Sequence, residues 1–196
     1  MLSQENNNKR STWSGRTYVY DPLSILFHWV IGALLIRQIF FPPEIEGMPF
    51  DQRPPMVTFH TGMGLIILAL VVLRIVWFLR RGSAPMVENT PLWQYRVAIS
   101  VHRAFYVLMF LTPLLGFLST FSAPYEIAPF NLFYLNSEAH APTFWFELPS
   151  FIHKQGSRIM IGLLVIHSLA ALYHQFHVKD NLLRRMIPAL PPQEDD

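Results

Sequence analysis

The sequence predicts an all-α integral membrane protein, a four-helix bundle with both chain termini in the cytoplasm. The first observation is composition, because 52% of the 196 residues are hydrophobic and only 14% are charged. Ordinary soluble domains contain about 25% charged residues. The second observation is four apolar runs, each long enough to cross a hydrocarbon core of about 30 Å. Because backbone groups in lipid need internal hydrogen bonds, runs of this length are expected to be helices.

The apolar runs define the organisation of the chain. They cover residues 23–41, 56–79, 97–121 and 151–177. We therefore divide the chain into an N-terminal tail (1–21), a transmembrane domain (22–178) and a C-terminal tail (179–196). The first tail lacks the apolar middle of a signal peptide. The Pro-rich, acidic end of the second tail, from residue 188, is expected to be disordered.

The distribution of charge predicts the orientation. Lys and Arg collect in both tails and in the second loop, 80–96, whereas the third loop, 122–150, is acidic and aromatic and contains neither. By the positive-inside rule the tails and the second loop are cytoplasmic, so the first and third loops face the outside. The pI near 9.0 reflects this topology, and we do not expect nucleic-acid binding.

The chain contains no cysteine. This excludes disulfide bonds, thiolate-held iron–sulfur clusters and the covalent attachment of haem through a C-x-x-C-H motif. Any haem bound by this chain is therefore held without covalent bonds, by side chains such as histidine.

Histidine is the residue type that carries the predicted chemistry. Six of the eight histidines lie in or at the ends of the apolar runs: His28, His60, His102, His153, His167 and His174. One histidine in a membrane is about as often a hydrogen-bonding group as a ligand. Six of them on four helices favour cofactor ligation, because ionisable residues in lipid are costly and usually functional. We expect the remaining two, His140 and His177, to be solvated.

The spacing of these histidines predicts two cofactor levels. His153 and His167 are 14 residues apart in the fourth run, which is about 21 Å of helical rise on nearly one face. His60 and His153 both lie near the outer ends of their helices, so they can bind one haem iron from opposite sides. An iron with two axial imidazoles transfers electrons and has no open site for oxygen.

The partner of His167 at the inner level is left open by the spacing. His28 and His102 each lie about five residues into a helix that starts at the cytoplasmic side, so depth favours neither. The histidine that does not ligate iron is expected to form hydrogen bonds, for example at a quinone site. Arg74 lies 14 residues after His60, on the same face and toward the cytoplasm, where it can bind the propionates of the inner haem.

Several sequence blocks are specific enough to indicate a family. They are "FHW" around His28, "DQRPP" before "FHTGMG" around His60, "VHRAFYVLMFLTPLLGF", "HK" at His153, "GLLVIHSLAALYH" and "VKDNLLRRMIP". These blocks resemble the bacterial cytochrome b-561 family of small di-haem membrane proteins. The resemblance covers nearly all of the membrane part, from about Tyr20 to Pro188.

The resemblance implies a ligand set and a function. It implies that His28 and His167 hold the inner haem, that His60 and His153 hold the outer one, and that both are non-covalent haem b in the bacterial inner membrane. It also implies ubiquinone as a substrate, and one branch of the family oxidises superoxide. His102, His174 and Trp93 match positions near the quinone.

Two functions remain open from the sequence. In the first, the chain alone passes electrons from the periplasmic side to ubiquinone, with superoxide as the donor. In the second, it is a membrane-anchoring cytochrome b subunit between a periplasmic dehydrogenase or hydrogenase and quinone, with the acidic third loop as the docking surface. Proton-coupled transport is disfavoured, because the apolar runs contain few acidic residues.

Overall fold

The computed structural model describes residues 18–45, 47–82, 84–85, 90–136 and 141–190. Four long helices account for most of them: α1 (Pro22–Phe40), α2 (Pro54–Arg81), α3 (Leu92–Thr120) and α4 (Phe144–Tyr173). All four are long and apolar enough to span a membrane. The described residues form no sheet, only an isolated bridge between Ile127 and Asn136. The predicted all-α, four-span class is confirmed.

The third and fourth helices begin earlier than their apolar runs. Helix α3 begins at Leu92, directly after Pro91, and α4 begins at Phe144 rather than at residue 151. The backbone N–H groups of Phe146 and Glu147 both donate to the carbonyl of Thr143. Hydropathy misses such first turns because they carry polar residues and, in α4, a proline at position 149.

Neighbouring helices pack in chain order around a small core. Among the described residues α1 packs on α2, α2 on α3 and α3 on α4, while α4 makes little direct backbone contact with α1 or α2. The core lies midway along the bundle and draws on every helix, through Ile31, Ile67, Val71, Met109 and Met160. The space between α4 and the first two helices is where the histidines lie.

The third loop is folded over the end of the bundle that the charge pattern predicts to face outside, which we call the outer end. Its buried residues Ala123, Tyr125 and Ile127 pack with Val57 of α2 in a second apolar cluster. The buried amide of Asn136 donates to the carbonyl of Ala123 at 2.9 Å. Burial raises the pKa of Tyr125, and the nearby Arg53 only partly offsets this, so the phenol stays neutral. We call residues 121–136 the roof.

The chain after α4 turns back onto the inner end of the bundle. A π-helical turn, His174–Val178, is followed by a 3-10 turn, Leu182–Arg185. The indole N–H of Trp29 then donates to the carbonyl of Met186 at 3.0 Å, and the N–H of Tyr20 donates to the carbonyl of Arg185 at 3.1 Å. This segment, 179–190, therefore covers the start of α1.

Some predictions fall outside the described residues. These are most of the N-terminal tail (1–17), the last six residues of the C-terminal tail (191–196) and the solvated position predicted for His140. Residues 188–190, which we expected in the disordered end, form part of a turn in which Arg184 Nε donates to the carbonyl of Leu190 at 2.8 Å.

Candidate functional site

The outer level contains a facing pair of imidazoles. His60 of α2 and His153 of α4 have ring centroids 5.9 Å apart, with planes at 84°. An imidazole nitrogen binds a first-row metal at about 2 Å, so two axial imidazoles on one iron have centroids about 6 Å apart. The sequence predicted these two residues at one depth, and the structure brings them together at the spacing an iron ligand pair needs.

The ring of His153 is held in one orientation. Its Nδ1 lies 2.8 Å from the carbonyl oxygen of Thr112. Since a carbonyl only accepts, Nδ1 carries the hydrogen and Nε2 keeps the lone pair that a metal needs. The ring also lies against Gly116, where an added Cβ would be 2.8 Å from Nδ1. Helix α3 thus selects both the tautomer and the position of this imidazole.

The backbone of His60 is fixed by a hydrogen bond, whereas a buried nitrogen of its side chain has no hydrogen-bond partner among the described residues. The buried amide of Gln38 on α1 donates to the carbonyl of His60 at 2.9 Å. Among the described residues, His60 Nδ1 is buried and has no hydrogen-bond partner. A buried polar atom without a hydrogen-bond partner is costly. The described contacts therefore leave one polar atom of this site unsatisfied. That observation fits a site that receives a further group.

A cavity of about 620 Å³ surrounds the pair. This volume lies in the range of roughly 300–1,000 Å³ that is typical of cofactor sites. All four helices and the roof contribute to its wall, which is mainly apolar and includes three cations: Arg53, Lys154 and Arg158. Arg37 is not among the wall residues. Its guanidinium lies 4.7 Å from the ring of Phe59.

The inner level contains three imidazoles rather than two. The rings of His28 and His167 have centroids 6.2 Å apart, and those of His102 and His167 are 5.5 Å apart. His28 and His167 are half-buried, whereas His102 is exposed and its Nδ1 lies 2.7 Å from the carbonyl of Ala98. Separation and burial favour His28 as the partner of His167, and the ligand assignment itself stays a prediction.

Arg74 lies at this inner level, as its spacing predicted. Its Nε donates to the hydroxyl of Tyr106 at 3.2 Å. The charge of Arg74 is close enough to act on the imidazoles of His28 and His167. A fixed cation beside two imidazoles suits an anionic cofactor group, and its contact with haem propionates remains a prediction.

The inner end of α4 contains a polar pair that the sequence analysis missed. His174 Nδ1 lies 2.5 Å from Oδ2 of Asp180, and Oδ1 of Asp180 accepts the N–H of Leu182 at 3.0 Å. Residues 179 and 181, on either side of Asp180, both have left-handed backbones, with φ of 58° and 59°. This chain reversal returns the carboxylate to His174, and helical spacing alone does not reveal it. The "KDN" block was the available clue.

Trp93, the remaining residue of the predicted quinone region, lies near the start of α3. Trp93 is 65% exposed and precedes His102 by about 13 Å of helix. Among the described residues, no three His, Cys, Asp or Glu side chains form a group that suits a bare metal ion. Facing imidazole pairs suit an iron whose four other ligands come from a porphyrin.

Comparison with known proteins finds relatives along almost the whole chain. A family model described as prokaryotic cytochrome b561 matches residues 19–189. The chain is 30% identical over 179 residues to cytochrome b561 homolog 1 of Escherichia coli K12, which covers 86% of this chain and 97% of the relative. It is 28% identical over 173 residues to a probable superoxide oxidase CybB of Yersinia pestis, with coverage of 86% and 96%.

Proposed function

The chain belongs to the prokaryotic cytochrome b561 family, and from that premise we propose that it carries electrons from the outer side of the membrane to ubiquinone through two b-type haems. The family and the four apolar helices make it a multi-pass protein of the bacterial inner membrane with a role in electron transfer. The observation that supports the proposal is that α4 carries a histidine at each of two levels. Each of these histidines lies opposite an imidazole from another helix.

The proposed ligands are His60 with His153 at the outer level and His28 with His167 at the inner level. These imidazoles would hold haem, which would supply one-electron transfer and offer no open site for oxygen. The centroid separations of 5.9 and 6.2 Å support these two pairs. His102 remains a competitor of His28, because its ring centroid lies 5.5 Å from that of His167.

The apolar core between the two levels keeps water out. Met160 is 2% exposed and lies midway between His153 and His167 on α4. Ile67 and Val71 of α2 are equally buried at this depth. The dry, low-dielectric core disfavours a localised charge between the two levels. It also tunes the reduction potentials of both sites.

Cations at each level are suited to the acidic groups of haem. Arg53, Lys154 and Arg158 line the outer cavity, and Arg74 lies at the inner level beside Tyr106. Arg53 is held by a hydrogen bond from its Nε to the carbonyl of Met48 at 2.9 Å. These side chains would orient the carboxylates of a bound cofactor by charge-assisted hydrogen bonds.

The inner end supplies the groups that quinone chemistry needs. Reduction of one quinone to quinol takes two electrons and two protons. If the Nδ1 hydrogen of His174 is donated to Asp180, Nε2 is left as the atom that accepts or releases a proton. His174, together with His102 and Trp93, is therefore our candidate quinone region.

Superoxide is the donor that we propose. Two superoxide ions each give up one electron and leave as oxygen, which balances the reduction of one quinone with two protons. The printed name of one relative, probable superoxide oxidase, supports this choice. The exposed acids of the roof side, such as Glu126 and Glu147, repel an anion, but the cations of the cavity wall attract it locally.

The test is quinone reduction by the purified holoprotein alone. An enzymatic superoxide source and a soluble ubiquinone analogue are added, and quinol is followed optically. We expect reduction above the uncatalysed background, abolished in His153→Ala and retained in His177→Ala, a control histidine just beyond the opposite end of the same helix. A holoprotein with both haems and no such rate would refute superoxide as donor.

The anchoring-subunit function is the alternative. Two exposed acidic residues at this end of the bundle, Glu126 of the roof and Glu147 in the first turn of α4, favour it, because a basic periplasmic dehydrogenase or hydrogenase would be attracted there. In this case the isolated holoprotein would fail the superoxide assay. It would instead reduce quinone only after addition of the co-purifying soluble partner.

A further inference from the structure

The roof contains a segment that crosses to the far side of α2. It runs from Pro129 to Leu135, and we call it the hook. It begins with a 3-10 turn, Pro129–Asn131, in which Phe130 has a φ of 51° and Asn131 a φ of 59°. A left-handed backbone is unfavourable for a bulky residue such as Phe130. The surrounding contacts must therefore hold it there.

The contact that holds Phe130 is with α2. Its ring lies against Gly62, where an added Cβ would be 2.5 Å from two of the ring carbons. It also meets the ring of Phe59 edge to face, with centroids 5.6 Å apart. Only glycine at position 62 leaves room for this ring.

This contact lies on the lipid-facing side of α2. Phe59, Ile66 and Leu73 are all exposed, by 46%, 41% and 55%, and they recur every seven residues along one face of the helix. Gly62 is three residues after Phe59 and four before Ile66, so it belongs to the same face. The ring of Phe130 therefore covers a helix surface that otherwise meets lipid.

Two markers give the depth of the hook in the membrane. Arg80 and Arg81 end α2 on the inner side, and Gly62 lies about 27 Å before them along the helix, against a hydrocarbon core of about 30 Å. On the outer side, the guanidinium of Arg37 lies over Phe59 at 4.7 Å. An arginine at the end of a spanning helix typically reaches the headgroups. Both markers place the hook at the outer boundary of the hydrocarbon core.

The tip of the hook is apolar and exposed. Leu132, Phe133 and Tyr134 are 76%, 52% and 64% exposed. Part of its backbone is internally bonded: the N–H of Leu132 donates to the carbonyl of Pro129 at 3.0 Å, and that of Leu135 to the carbonyl of Ile127 at 2.8 Å. Non-helical backbone tolerates proximity to lipid only when its polar groups are paired in this way.

We propose that the hook is an interfacial anchor, with the side chains of Leu132, Phe133 and Tyr134 inserted between the headgroups and acyl chains of the outer leaflet. Tyrosine favours this zone because its ring is apolar and its hydroxyl group is polar, and the apolar side chains of Leu132 and Phe133 gain by leaving water. The other side of the same loop, at Tyr125 and Ile127, lines the outer cavity. The anchor thus attaches the roof, which covers the outer cavity, to the surrounding bilayer.

The absence of cysteine from the chain permits a direct test. Phe133→Cys, labelled with an environment-sensitive fluorophore, is reconstituted as holoprotein in liposomes with or without a phospholipid that carries a shallow nitroxide. Glu126→Cys, in the same loop, is the aqueous control. Ile66→Cys, on the exposed face of α2, is the lipid control. Haem content is measured for each variant to verify folding.

The anchor predicts that the label at position 133 behaves like the one at position 66. Its emission is blue-shifted from that at position 126. The lipid nitroxide quenches it several-fold more than aqueous iodide does. Quenching mainly by iodide would show that the tip is in water and overturn the proposal. Protection from both quenchers would show a protein partner or a second copy, and would equally overturn it. If Phe133→Cys loses haem, Leu132→Cys provides the same readout at a more exposed position.

Discussion

The outer and inner histidine levels are built differently although α4 supplies one imidazole to each. At the outer level two imidazoles face each other across a cavity, and one of them is fixed by the carbonyl of Thr112. At the inner level three imidazoles meet, and His167 has a neighbour on both α1 and α3. The outer level is therefore suited to one fixed ligand pair. The inner level contains one histidine more than a single pair requires.

The two levels also differ in what covers them. The outer cavity lies under the roof, whose apolar side chains pack against α2. The inner level lies near a polar segment in which Asp180 contacts His174. This difference suggests a division of labour: the outer level excludes water and holds a cofactor rigidly, and the inner level combines a cofactor with proton-exchanging groups.

The largest expected effects come from removing the α4 imidazoles. His153→Ala is expected to lose the outer haem and His167→Ala the inner one, because each removes a proposed iron ligand and α4 has no other histidine at the same depth. Quinone reduction should be lost in both. Pyridine haemochrome assays on the purified variants check this. Retention of both haems in either variant would refute that ligand assignment.

The next effect separates the candidates at the inner level. His28→Ala is expected to lose the inner haem, whereas His102→Ala should keep both haems and only slow quinone reduction. The reason is that the half-buried His28 ring lies 6.2 Å from that of His167, while the ring of His102 is exposed and bonded to its own helix. The opposite pattern of haem loss would assign His102 as the ligand.

A smaller effect is expected at the inner polar pair. Asp180→Asn removes the carboxylate that accepts from His174, and loss of such an orienting group typically costs about 10- to 100-fold in activity. We expect a lower kcat for quinone reduction and an altered pH profile, with the haem content unchanged. The matched control is Asp51→Asn in the first loop. Equal effects in both variants would argue against a specific role for Asp180.

The smallest effect is expected from crowding the fixed outer imidazole. In Gly116→Ala the new methyl group would lie 2.8 Å from His153 Nδ1, and overpacking of this kind costs about 1–3 kcal/mol. The outer haem should then be released at a lower temperature, followed by its absorption band, while the inner haem is unaffected. Gly162→Ala, with open space around its Cβ position on α4, serves as the control and should behave as the unchanged protein.

The sequence predicts the spans and the histidine depths because both follow from one-dimensional spacing. Hydropathy identifies four helices, and a rise of 1.5 Å per residue puts His60 level with His153. The same arithmetic gives the level of Arg74. Such spacing contains no information on the rotation of one helix against another, and for this reason it left His28 and His102 as equal partners of His167.

Features that depend on the tertiary path of the chain were not predicted. The contact of His153 with the carbonyl of Thr112 cannot be predicted from residue type, since every residue has a backbone carbonyl. The contact of Asp180 with His174 depends on two left-handed residues, 179 and 181. The packing of Phe130 on Gly62 joins residues that lie far apart in sequence, and no local pattern relates them.

The most direct test of the two-level account is the haem content of the purified, unaltered protein. The pyridine haemochrome absorbance, compared with the protein concentration, gives the number of haems per chain. A redox titration of the reduced-minus-oxidised spectrum then resolves the individual haems. The account predicts two b haems per chain with separate potentials, one of which disappears in His153→Ala while the other remains. A single haem per chain, or loss of all haem on changing His153 alone, would contradict it.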